Sequence, residues 1–235
     1  MNRPNIVSRT EWLSARKQLL AKEKALTRMH DELALERGQL PWVQLDKDYS
    51  FDTADGKQSL AQLFRGKTQL VIYHFMFGPS WNEGCPSCSL LADHVDASLV
   101  HLAQRDVAFC AVSRAPYAAI AQFKQRMGWR FAWASSHDSD FNFDFQVSFR
   151  SQDKTSTPKY YNYESSDFPS DEAPGISVFC RDENEHVFHT YSSYGRGAEP
   201  LIGAYSVLDL VPKGRNEAGL PFPMAWVRHH DRYGA

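Results

Sequence analysis

The sequence predicts a three-layer α/β domain: a central mixed sheet, a long N-terminal helix, and an insertion before the last hairpin. Three observations carry this. Apolar runs at residues 70–75, 107–112 and 131–134 alternate with stretches of helical periodicity. That β-α-β-α-β order implies a partly parallel sheet with helices on both faces. Two later runs, 176–180 and 186–191, are joined by the short polar turn 182–185 and read as an antiparallel hairpin. Ahead of the sheet, a charged stretch carries Trp12, Leu19, Leu26 and Leu33 at seven-residue intervals.

Composition narrows the function classes. The chain has 235 residues, with 43% hydrophobic and 23% charged, enough to bury a core without disulfide staples. A net charge of −2 with no basic block points away from nucleic acid. No apolar run is long enough to span a bilayer, and the polar N-terminus lacks the apolar stretch of a signal peptide. The expectation is a cytoplasmic protein without membrane contact. The division expected is an N-terminal helix extension over 1–41, a domain over 42–212 with an insertion at about 138–173, and a C-terminal tail over 213–235.

Ser8 and Glu11 match a capping box, and the helix that follows is expected to end near Arg37 and Gly38, before Pro41. Its apolar stripe either docks on its own domain or packs against a second copy as a homodimer. Residues 42–45 form a short strand candidate, and Asp55-Gly56 signals a hairpin turn. Ser59 is placed to cap a short helical turn over 61–64, stopped by Gly66. The nearly continuous apolar run 70–75 suits a strand covered on both faces. A helix from Pro86 to about Gln104 follows; proline fits a first turn, where its missing N–H would have no partner anyway. Pro116 opens another helix, closed by Gly128. The aromatic-rich stretch 138–163 reads as an irregular insertion over one edge, filling core or lining a site. Glu199-Pro200 opens a last helix ending near Pro212. The Gly- and Pro-rich tail carries Trp226, His229, His230 and Tyr233.

The chemistry concentrates where the first long strand hands over to a helix. Cys85-Pro86-Ser87-Cys88 sits there. A helix N-terminus offers unpaired N–H groups and a partial positive charge, which favour a thiolate. Cys85 is therefore the expected attacking thiol, and Cys88, one turn inside, the resolving thiol. Gly84 removes bulk beside Cys85 and would let a substrate backbone approach; Trp81 would wall the sulfur. His74, on the strand, is either a core histidine or the proton acceptor for Cys88. Glu83 either raises the Cys85 pKa by repulsion or is solvated. Half of a tetrahedral zinc site has the same cysteine spacing. No second pair exists, however, and His74 and His94 are poorly placed, so no metal and no cofactor are expected. Cys110 and Cys180 lie in apolar strand runs and read as core.

Residues 42–211 resemble the thioredoxin-like fold, in its peroxiredoxin-like branch. The resemblance rests on Asp55-Gly56-Lys57, the strand over 70–75, Cys85-Pro86-Ser87-Cys88 opening a helix, and the strand over 107–112. It implies a cis Ala173–Pro174 bond facing the cysteines, with the neighbouring backbone pairing to an extended substrate. The whole chain is similar to a bacterial family of unknown function usually labelled predicted dithiol–disulfide oxidoreductase, through the long first helix, the segment 81–88 and the ending 226–233. Two departures stand out. Gly84 replaces the aromatic residue that thioredoxins place before the first cysteine. Gly78 and Asn82 stand where peroxiredoxins keep their proline and threonine or serine. The leading expectation is a thiol–disulfide oxidoreductase acting on a disulfide-containing protein or a small-molecule disulfide. The alternatives are a thiol peroxidase and a non-catalytic thioredoxin-fold binding module.

Overall fold

The computed structural model describes residues 5–150 and 158–234. The chain divides into two compact units, Met1–Pro41 and Trp42–Ala235. The first is a single helix, α1 (Arg9–Gly38). Its start is the capping box expected from Ser8 and Glu11, each side chain meeting the other's backbone N–H. It ends one residue later than expected, with Gln39 as the cap. None of its residues is buried, and Leu19, Leu26 and Met29 are more than half exposed.

The second unit is built on an eight-stranded mixed sheet. Its strands are β1 (Val43–Gln44), β2 (Ser50–Thr53), β3 (Gly56–Ser59), β4 (Gln69–His74), β5 (Val107–Ser113), β6 (Ala132–Ser135), β9 (Gly175–Arg181) and β10 (Val187–Tyr194), in the order β1-β10-β9-β4-β5-β6-β2-β3. β7 (Lys159–Tyr161) and β8 (Glu164–Ser166) form a separate two-stranded ribbon. β4, β5 and β6 are parallel neighbours, whereas β9 runs antiparallel to β4 and pairs with β10 as the expected hairpin. Ahead of β4, the Ser59 hydroxyl and the Gln62 carboxamide exchange bonds with each other's backbone N–H, fixing the 3-10 turn Ala61–Phe64.

The helices depart from expectation. α2 (Pro86–Gln104), α3 (Tyr117–Met127) and α5 (Gly203–Leu208) all bury their apolar residues in one core: Leu91 and Val95, Ile120 and Phe123, and Tyr205. α2 and α3 share one face of the sheet because two right-handed crossovers that step the same way, β4 to β5 to β6, must lie on the same side, and α5 packs into the same core. The opposite face is covered by the 3-10 turn and by the aromatic insertion. Phe141, on the short helix α4 (Phe141–Asp144), and Phe145, Phe149 and Tyr161 are buried there with Leu70, Ile72 and Phe179. The insertion thus lies over a face, not an edge, and supplies the third layer. Residues 151–157 of it fall outside the described residues.

The last helix also starts later than expected. Residues Gly195–Leu201, with Pro200 inside, form a 3-10 helix, and α5 begins at Gly203. Its start is set from outside, since His94 on α2 accepts the Ala204 N–H through Nε2 at 2.9 Å. The Nδ1–H of the same ring donates to the Leu90 carbonyl at 2.7 Å. His94 is thereby committed as a cap.

Phe141 touches Tyr49, Phe51, His74, Phe145 and Phe179 through its ring. Replacing it with alanine is expected to cost about 3–5 kcal/mol of unfolding free energy, read from urea denaturation. A cost near zero would mean that the insertion is dispensable covering.

Candidate active site: a dithiol at a helix N-terminus

β4 alternates its side chains between the two cores, and this decides what meets the cysteines. Leu70 and Ile72 enter one core; Tyr73 and Phe75 enter the core of Cys88. After β4 the chain makes an excursion and returns, so that the Cys85 N–H donates to the Met76 carbonyl at 3.0 Å. Cys85 is the N-cap of α2 and Pro86 opens its first turn. The Ser89 N–H and hydroxyl both bond the Cys85 carbonyl, at 3.0 and 2.9 Å.

The two thiols are unbridged and sit in different environments. The Cys85 pKa is lowered to about 7. The Cys88 thiol donates to its sulfur, and the N–H groups of Cys88 and Ser87 and the Ser87 hydroxyl add to the effect against the opposing cost of burial. Cys88 is fully enclosed and pushed the other way, first by burial and then by the neighbouring Cys85 sulfur. The Tyr73 hydroxyl offsets part of that by donating toward the Cys88 sulfur. Cys85 is therefore the group that ionises first.

Of the residues singled out from sequence, Cys85, Cys88 and Pro174 line one cavity of about 320 Å³, together with Tyr73, Met76, Leu91, Ile202 and Met224. The others are placed differently. His74 points to the opposite face, stacked on Phe141 and Phe145 and bonded through Nε2 to the Ser177 hydroxyl at 2.8 Å. Burial lowers its pKa to about 3, with His189 adding to the effect. It cannot take a proton from Cys88; Tyr73, one residue earlier, is the polar group that reaches that sulfur. Trp81 lines an adjacent groove with Gly78, Arg114 and Phe149 instead of walling the cysteines. Gly84 is buried, and a Cβ there would lie 2.6 Å from Phe75 and 2.8 Å from Phe123. Its missing side chain serves this packing and opens no path for a substrate. Ala173 is buried in the opposite core, and its N–H donates to the Val147 carbonyl at 2.8 Å. The Pro174 carbonyl accepts from the Tyr161 hydroxyl at 2.6 Å. The Ala173 N–H and the Pro174 carbonyl, two backbone groups beside the proline, are therefore already paired.

Sequence reasoning missed the C-terminal segment as part of this site. Val227 and His229 are buried, and Met224 and Trp226 pack on the cysteine core. His229 Nε2 donates to the Gly84 carbonyl at 2.8 Å, and its Nδ1 accepts from the Arg126 guanidinium at 2.8 Å. An arginine only donates, so the ring is the neutral Nε2–H tautomer. Its 3.8 Å approach to Glu83 is accordingly not an ion pair. Glu83 stays partly solvated, as one of the two expectations had it, and is turned to arginines: Arg232 and Arg126 hold it at 2.8 Å and keep its carboxyl below the usual range. The signal available in sequence was the density of histidine and charge in 228–232, which does not name its partners. Among the described residues, no cluster of three or more His, Cys, Asp or Glu side chains is placed to hold a metal, and no helix is long and apolar enough to cross a membrane.

Fold and site together define a mixed α/β protein with two thiols in the first turn of the helix that follows a central strand of the sheet. The sequence matches, over residues 1–233, the bacterial family of unknown function DUF899, and the chain belongs to that family. A search of curated proteins finds no match. Among solved structures, a peroxiredoxin Q variant of Xanthomonas campestris aligns at 14% identity and TM-score 0.45, covering 67% of this chain and 90% of that one. The peroxidoxin BcpB of Mycobacterium tuberculosis aligns at 12% and 0.47, covering 70% and 94%. A candidate thiol–disulfide oxidoreductase of Bacteroides vulgatus aligns at 16% and 0.41, covering 71% and 97%.

Alkylation of the reduced protein by iodoacetamide should modify Cys85 first, with a rate that rises with pH around a midpoint of about 7. An unperturbed thiol would give about 8.5. Mass mapping of the modified cysteine across a pH series checks both points; a midpoint above 8 would contradict the hydrogen bonding described for its sulfur.

Proposed function

We propose that the protein is a thiol–disulfide oxidoreductase in which Cys85 attacks and Cys88 resolves. The observation that supports this most directly is the opposite treatment of the two sulfurs: one is favoured as a thiolate at a half-buried position, and the other is fully buried and kept protonated. The Cys85 thiolate attacks one sulfur of a substrate disulfide, forming a mixed disulfide and releasing the first thiolate, which takes up a proton. Cys88 then loses its proton and attacks the Cys85 sulfur. This closes the Cys85–Cys88 disulfide and releases the second thiol. The substrate gains two electrons, and the protein dithiol loses them. Tyr73, donating toward Cys88, lowers the cost of the second ionisation. Pro174 lines the same cavity as the two cysteines.

A thiol peroxidase would use the same ionised Cys85, and the reagents separate the two. Reduced protein mixed with hydrogen peroxide should oxidise no faster than a free thiol, whereas a small disulfide should oxidise it faster than a free thiol reacts. The reverse pattern would make the protein a peroxidase. Cys85→Ser should abolish disulfide reduction. Cys88→Ser should accumulate a mixed disulfide at Cys85, visible as added mass. If the wild-type protein reduces no disulfide at all, the binding-module reading takes over.

The exposed stripe on α1 supports a homodimer through that helix. Leu19→Glu together with Leu26→Glu in the full chain should then lower the sedimenting mass at micromolar concentration by half. An unchanged mass would remove the helix as the interface.

A further inference from the structure

Thioredoxin-type sites hold protein substrates by adding them as a strand to the backbone beside the proline, and here one donor and one acceptor of that backbone are already in use. The Ala173 N–H is bound to Val147, the Pro174 carbonyl to Tyr161, and the Tyr161 hydroxyl also accepts the Gly195 N–H at 2.8 Å. A peptide laid along this edge would find these groups already paired. Displacing them would leave buried polar partners unsatisfied, at about 1–3 kcal/mol each.

What the site offers in exchange is a cavity. At about 320 Å³ it lies at the small end of ligand pockets. Its walls beside the sulfurs are Met76, Leu91, Ala198, Ile202, Pro223 and Met224. The last two come from the C-terminal segment. Four charged residues also line it, two arginines and two glutamates, and they are engaged. Arg196 and Arg215 both pair with Glu199, Arg215 also pairs with Asp209, and Glu217 accepts from Tyr205, the Met224 N–H and Trp226. The lining charges balance, so nothing there selects a polyanionic substrate. Glu217 serves instead to hold the Met224 segment in place.

We propose that the substrate of the Cys85–Cys88 dithiol is a low-molecular-weight disulfide with an apolar body, seated against Met224 and Ile202, and not a protein or peptide. The proposal rests on the oxidoreductase reading above and specifies its substrate. Reaction follows the same two exchanges: the cavity holds the apolar arm that stays on Cys85 in the mixed disulfide, and Cys88 expels it as the second thiol.

The test is single-turnover oxidation of the reduced full-length protein by three probes: dipropyl disulfide, glutathione disulfide, and a pair of short extended peptides joined by one disulfide. Each rate is divided by that of 2-mercaptoethanol with the same probe, which removes intrinsic reactivity. The expected result is a normalised rate for dipropyl disulfide about tenfold or more above the other two. Met224→Lys should erase that preference and Met224→Leu should keep it, with circular dichroism confirming that both variants are folded. A peptide disulfide reduced as fast as dipropyl disulfide, or a preference that survives Met224→Lys, would overturn the assignment of the cavity while leaving the oxidoreductase reading intact. If no probe reacts faster than with 2-mercaptoethanol, the oxidoreductase reading itself falls, and this inference with it.

Discussion

The site depends on one constraint: the Cys85 sulfur must meet the donors of the first turn of α2 without being buried as deeply as Cys88. A helix start has N–H groups with no partner inside the helix. Here those of Ser87 and Cys88 find one in the Cys85 sulfur, with the Cys88 thiol and the Ser87 hydroxyl as further donors. Cys85 can accept them because it is the N-cap, outside the helical ladder, and because its own N–H is tied back to Met76. Shifting the helix by one residue would turn the sulfur away. The long excursion between β4 and α2 is tolerated because both of its ends are held at the same place.

The C-terminal segment holds that excursion from outside. The magnitudes separate its contacts into two kinds. The ion pairs of Glu83 with Arg126 and Arg232 are partly exposed, and such pairs contribute about 0–1 kcal/mol. They orient the loop more than they stabilise it. The His229 bond to the Gly84 carbonyl is buried, and removing one partner from such a bond costs about 1–3 kcal/mol. The carbonyl it satisfies belongs to the residue before Cys85. The tightest link between tail and loop is therefore the one nearest the nucleophile, and the same segment then supplies Met224 to the cavity.

On the other face, the aromatic insertion replaces a helical layer. His74 shows what that environment does: against Phe141 and Phe145, a histidine is held neutral and tied to Ser177. The two cores differ accordingly. One carries the thiols and the cavity. The other is closed packing that keeps the sheet, and hence the position of β4, rigid beneath them.

Much of the fold could be read from local chemistry. The capping box of α1, the apolar run of β4, Pro86 at the start of α2 and Gly128 at the end of α3 all act within a few residues of themselves, so periodicity and cap residues announce them. The dithiol was legible for the same reason, since a strand, two closely spaced cysteines and a helix start are contiguous. What could not be read were contacts between residues far apart in the chain. His94 capping α5, His229 on Gly84, Val147 occupying the Ala173 N–H, and Phe75 with Phe123 filling the place of a Gly84 side chain each join positions remote in sequence. The face on which His74 lands follows from the register of β4 against two cores, and a single residue step in that alternation sends Tyr73 to the cysteines and His74 away. The sequence by itself determined the elements and the chemistry of the thiols, because those depend on neighbouring residues. Only the tertiary structure decided which groups surround the sulfurs and which backbone atoms remain free, because burial and hydrogen-bond partners are settled when distant segments pack.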